Sequence, residues 1–175
     1  MSAERPGGSR LVLDQASGNA LLGWLLARHP ESRVRGGVTV RPEDDHLHVS
    51  VQGLDLGAMV PNVDVALDLH LELYGSQLQV RAETHGVFLA AQWLLRKLSP
   101  SGSVLLLLLP ALRDLEGVRL RGCDGLVVDL ACLSVALPDG TGASRKMRLA
   151  DLVHVAALSV GSGAEAMLTL DFSLV

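Results

Sequence analysis

Residues 63–83 read VDVALDLHLELYGSQLQVRAE, and this stretch decides the fold. Val63, Val65, Leu67, Leu69, Leu71 and Leu73 share one parity. Asp64, Asp68, His70 and Glu72 share the other, with Ala66 the exception. Successive side chains of an extended chain point to opposite faces, so residues 63–73 predict a long strand with one apolar and one polar face. Tyr74-Gly75-Ser76-Gln77 turns the chain. Leu78, Val80 and Ala82 then alternate with Gln79, Arg81 and Glu83.

The same period extends toward the N-terminus. Leu47, Val49 and Val51 alternate with His46, His48, Ser50 and Gln52, after a turn at Pro42-Glu43-Asp44-Asp45. Val34, Val38 and Val40 form a further apolar set. After Gly53 the apolar parity moves to Leu54 and Leu56, as a β-bulge would produce. Residues 33–84 therefore predict a four-stranded meander. The turns are too short for crossover helices, so the pairing is antiparallel.

Helical spacing flanks the meander. Residues 14–29 predict a helix capped by Asp14, striped by Leu21, Leu22, Leu25 and Leu26, and ended at His29-Pro30. Gly18 and Gly23 weaken it. Residues 87–98 predict a second helix on Val87, Phe88, Ala91, Leu94, Leu95 and Leu98, with Leu89 and Trp93 lying off the main stripe. Residues 104–109 fit a buried strand or a helix, and periodicity does not choose between them. Residues 117–137 predict a hairpin whose second strand runs Leu126, Val128, Leu130, Cys132. One or two strands are expected in 147–160, and alternation returns over 166–174.

The expected fold is α+β: a mostly antiparallel, twisted sheet, with the meander 33–84 and C-terminal hairpins, packed on two amphipathic helices. Leu67, Leu69 and Leu71 should face those helices. Residues 1–10 read as a flexible tail and residues 11–175 as a single domain.

Of the 175 residues 49% are hydrophobic and 19% charged, which describes a globular chain. The formal net charge of −4 and an aromatic content of 3% argue against a nucleic-acid partner. The apolar run from Val104 to Leu109 is far short of the ~20 residues of a membrane-spanning helix. No export signal is legible at the N-terminus, so the expectation is a cytoplasmic protein. Cys123 and Cys132 lack metal-knuckle spacing, and no cofactor is expected. Gly161-Ser162-Gly163 reads as a hairpin turn rather than a dinucleotide fingerprint, and no nucleophile elbow or phosphate loop occurs.

Three groups of residues carry candidate chemistry. His46 and His48 share a strand face, and pairing with residues 63–73 would bring His48 near His70 and Glu72. Imidazoles and a carboxylate are ligands for zinc or a similar ion, although a polar sheet face is ordinarily just solvated. Arg145, Lys146 and Arg148 form a basic cluster in the loop after Pro138, suited to phosphate head groups or an acidic partner. Leu67, Leu69, Leu71, Phe88 and Leu95 supply an apolar lining for an apolar ligand. Leu89 and Trp93 must cover a second sheet segment, a ligand or another subunit.

Two segments, VTVRPEDDHLHVSVQGLDLG (residues 38–57) and LEGVRLRGCDGLVVDL (residues 115–130), lie in an order of helix, meander, helix and hairpin. That order resembles the tubular lipid-binding (TULIP-like) proteins of bacterial envelopes. The likeness implies a twisted sheet wrapped on a helix and a phospholipid held in an apolar crevice. The expected function is thus non-catalytic binding of a lipid or fatty acid by the aliphatic face of a curled sheet. The alternatives are a homo-oligomeric interaction or scaffold protein and, third, a metal-dependent enzyme on the polar sheet face.

Overall fold

The computed structural model describes residues 8–29, 32–57, 61–85, 116–122, 125–138, 144–163 and 165–175. The expected helix 87–98, with Phe88, Leu89, Trp93 and Leu95, and the run 104–109 lie outside them. The chain begins with β1 (Ser9–Leu13) and α1 (Gln15–Arg28). The meander follows as β2 (Val38–Pro42), β3 (Leu47–Leu54), β4 (Val63–Tyr74) and β5 (Gln77–His85). β6 (Val118–Arg121), β7 (Gly125–Asp129), β8 (Ser134–Pro138), β9 (Ser144–Arg148), a short 3-10 helix (Leu149–Asp151), β10 (Val153–Gly163) and β11 (Ala166–Leu174) complete the described elements.

Every strand pair is antiparallel. The largest sheet has six strands in the order β2-β3-β4-β5-β7-β6, so the meander is extended at β5 by the β6–β7 hairpin. β1, β11 and β10 form a second sheet in that order, and β8 pairs with β9 alone. The register of the central pair sets Leu47 against Leu69, Val49 against Leu67 and Val51 against Val65. The pairing slips by one residue between Val51 and Leu54, where Gly53 takes φ +65° and its N–H donates to Asp64. This is the bulge legible in the parity change. Between β4 and β5 the two-residue loop starts with Gly75 at φ +59°, the conformation a tight hairpin of this hand requires.

The apolar parity of β3 and β4 makes the core. Leu54, Leu67 and Val51 are the largest fully buried side chains, joined by Val40, Leu47, Val49, Leu56, Val65 and Met167. Leu69 and Leu71 are half-buried and pack against this cluster. Its cover comes from Leu22 of α1 together with Leu13, Val160 and Met167 of the second sheet. The described fold is thus sheet-rich with one helix, the second layer being part helix and part sheet. None of its helices is long and apolar enough to cross a membrane.

α1 is held to the sheet edge by a polar clamp. Asn19 Oδ1 accepts from the Val40 N–H at 2.6 Å, and Asn19 Nδ2 donates to the Val40 carbonyl at 3.2 Å. The outward N–H and C=O of Val40 on edge strand β2 are thereby satisfied by a side chain instead of another strand. Asp14 caps α1 as expected, accepting from the Ser17 N–H at 2.6 Å.

Four expectations change. β1 starts at Ser9, inside the stretch read as a tail, because Arg10 pairs with Asp171 and holds its carboxylate at 2.7 Å. β7 stops at Asp129, where the Asp129 carboxylate accepts from the Ala131 N–H at 3.1 Å and folds Leu130 and Cys132 into a turn. Arg145, Lys146 and Arg148 sit on β9, not in a loop, since β9 finds a full ladder with β8. Finally, the face holding Leu67, Leu69 and Leu71 is covered by the second sheet as well as by α1.

The two glycines of α1 differ in surroundings. A Cβ at Gly18 would lie 2.3 Å from Met167 Cε, whereas none of the neighbouring atoms comes within 4 Å at Gly23. Gly23→Ala should therefore raise stability by about 0.5–1 kcal/mol through helix propensity. Gly18→Val should lower it by about 1–3 kcal/mol through overpacking. Urea unfolding of both variants checks the opposite signs.

Candidate functional site

The polar parity that accompanies the core has its own order. The ladder sets His48 against Asp68, Asp68 against Glu83, His70 against Arg81 and Ala66 against His85. His46, one residue before the Leu47–Leu69 pair, meets His70, with ring centroids 5.2 Å apart. Four of the six histidines in the chain thus gather on one sheet face.

Asp68 lies at the centre of this group. His48 Nδ1 is 2.7 Å from Asp68 Oδ1, and His85 Nε2 is 2.8 Å from Asp68 Oδ2. His46 Nε2 stands 3.6 Å from Asp68 Oδ1 and 3.4 Å from Glu43 Oε2. Its other nitrogen, Nδ1, is 2.9 Å from Asp45 Oδ1. The side chains of His46, His48 and Asp68 are only 17%, 18% and 19% exposed, so a good part of each is shielded by its neighbours.

The expected neighbours differ by one ladder step. His48 faces Asp68 instead of His70, and His70 faces His46. Glu72 lies farther along β4, opposite Gln79, where its Oε2 accepts from the Tyr74 hydroxyl at 2.6 Å. Asp68, His85, Asp45 and Glu43 were not among the residues singled out by the sequence. Asp68 was visible on the polar parity of residues 63–73, and His85 continues the alternation of Arg81 and Glu83.

The other candidates are placed as follows. Leu67 is fully buried, and Leu69 and Leu71, half-buried, pack against the core cluster. Lys146 Nζ lies 3.9 Å from Glu116 Oε2, both side chains being exposed. Lys146 and Arg148, two residues apart, share a strand face. The larger of the two described cavities is a cleft of about 440 Å³ beside His70 and Glu72, on the polar side of the sheet. The smaller, of about 80 Å³, lies between Gly75, Leu130 and Val153.

Electrostatics follow from the contacts. Burial alone would raise the Asp68 carboxyl, but the His48 hydrogen bond and the charges of His85, His46 and His48 hold it below its ordinary value. The Asp45 hydrogen bond raises His46, against the opposing effect of burial and with help from Asp68 and Glu43. Asp45 is lowered in turn, chiefly by His46. A histidine raised on folding stabilises the fold below its ordinary pKa of 6.5 and loses that contribution as pH rises through the raised value. A lowered carboxyl stabilises above its ordinary 3.8 and loses its contribution as pH falls through the lowered value. The stability difference between the native protein and His46→Asn should therefore be greatest at about pH 5.5 and shrink by about pH 8.5. Urea unfolding at both pH values reads the difference, and an equal gap at both would contradict it. No protein-family model, curated protein or solved structure matches this chain, so its chemistry is read from the geometry of its own residues.

Proposed function

We propose that the polar face of the six-stranded sheet binds a divalent transition-metal ion, and that this is a metal-binding protein. The observation that carries the proposal is the set Asp45, His46 and His70, which offer one ligand atom each, all within 4.8 Å of one another. Imidazole nitrogen with a carboxylate oxygen suits zinc and its neighbours better than magnesium or calcium, which favour all-oxygen sites. Asp68 and Glu43 lie close enough to His46 to offset the charge of an ion or to orient its ring. The ion would act as a Lewis acid and an anchor for anionic oxygen.

Isothermal calorimetry with zinc chloride at about pH 7.5 tests this directly. The native protein should bind one ion. His70→Ala should weaken binding by at least about tenfold, while His154→Ala, on β10 of the other sheet, should leave it unchanged. Affinity should fall toward about pH 5.5, because protons compete for the imidazoles. No binding, or equal loss in both variants, would refute the proposal.

A second reading keeps the apolar partner. Leu21 and Trp24 of α1 are 49% and 50% exposed, and Leu11 and Val12 of β1 are exposed as well. Such a surface favours a lipid or a second copy of the chain. This reading is in keeping with the tubular lipid-binding likeness. Native mass spectrometry of the purified protein separates these occupants: retained lipid or a dimer supports the reading, and a bare monomer contradicts it.

A further inference from the structure

The cleft of about 440 Å³ adjoins the proposed ion and shares His70 with it. Its walls carry Glu72, Tyr74, Gln79, Arg81 and Arg121. The ladder explains why there is room. Gly125 stands opposite Arg81 on one side and Arg121 on the other. Having no side chain, Gly125 leaves the polar face open between two guanidinium groups. A Cβ there would also lie 2.7 Å from the Arg121 carbonyl oxygen, so the close approach of β6 to β7 favours glycine independently.

The charges in the cleft are unevenly engaged. Glu72 accepts the Tyr74 hydroxyl at 2.6 Å. Arg81 Nη2 meets Glu83 Oε1 at 3.1 Å across an exposed contact that salt and solvent weaken. Arg121 donates to Gln79, a neutral amide. An amide oxygen is a poorer partner for a guanidinium than an anionic oxygen, because charge-assisted hydrogen bonds are about twice as strong. The planar fork of arginine matches phosphate, and Tyr74, 58% exposed at the rim, offers a ring face. A volume of this size lies within the range of small-molecule sites.

We infer that this cleft binds a small phosphomonoester bearing a ring, its phosphate held by Arg121 and Arg81 and turned toward the ion at Asp45, His46 and His70. The inference deepens the metal proposal and rests on it for the contribution of the ion. The phosphate displaces Gln79 from Arg121, and the ring lies on Tyr74.

Calorimetric titration with phenyl phosphate, with and without zinc, tests this. The native protein should bind phenyl phosphate more tightly with zinc present. Arg121→Gln should weaken that binding by at least about tenfold while leaving zinc affinity and the thermal midpoint unchanged. Inorganic phosphate should bind more weakly than phenyl phosphate, and Tyr74→Ala should abolish that difference. Zinc binding without phenyl phosphate binding, or an Arg121→Gln protein that binds phenyl phosphate normally, overturns the inference and leaves the metal proposal standing. Equal affinity for the two anions overturns the ester assignment. Phenyl phosphate binding that depends on Arg121 in a protein that takes no zinc supports the cleft and removes the metal proposal.

Discussion

The register between β3 and β4 is the constraint on which the rest depends. Leu47 against Leu69, Val49 against Leu67 and Val51 against Val65 give one dry face. The same pairing sets His48 against Asp68 and His46 against His70 on the other. A slip of one residue would expose every leucine and bury every charge. Core and site are therefore two sides of a single choice, and hydrophobic burial pins the geometry of the polar groups. Fully burying a leucine contributes about 1.5–3 kcal/mol, more than an exposed ion pair, so the apolar face dictates and the polar face follows.

What the polar face receives is a carboxylate with more basic partners than a lone surface aspartate finds. Asp68 is only 19% exposed, which disfavours its charge, yet the His48 hydrogen bond and the surrounding imidazoles keep it ionised. The histidines in turn are oriented by Asp68, Asp45 and Glu43. Side chains fixed by neighbours in this way lose less freedom when a ligand arrives, the general advantage of a preorganised site. The adjoining cleft owes its space to an absent side chain at Gly125 and its charge to arginines on β5 and β6. His70, Arg81, Gly125 and Arg121 thus lie along one row of the ladder, with His46 at its end.

Much of this was written in the alternation. The strands of the meander, the bulge at Gly53, the turn at Gly75 and the cap at Asp14 each carry a local signal. The partner of His48 on β4 does not, because it depends on how many residues the bulge at Gly53 and the connection from Leu54 to Val63 consume. Asn19 was unreadable for a different reason. A polar residue in a helix carries no mark of the strand edge it will clamp. Arg145 to Arg148 were misplaced because a short run of charges resembles a loop, and only the partner strand β8 makes it a ladder. The second layer escaped because covering the core with β1, β10 and β11 is a long-range event: Leu13 and Val160 reach it from opposite ends of the chain.

Long-range proton–nitrogen spectra of the histidine rings, recorded with and without one equivalent of zinc, test the joint origin of core and site most directly. The register predicts that the ring nitrogens of His46 and His70 shift together on adding zinc, while those of His29 and His154 stay where they were. Shifts spread evenly over all six histidines, or confined to His29 and His154, would contradict it.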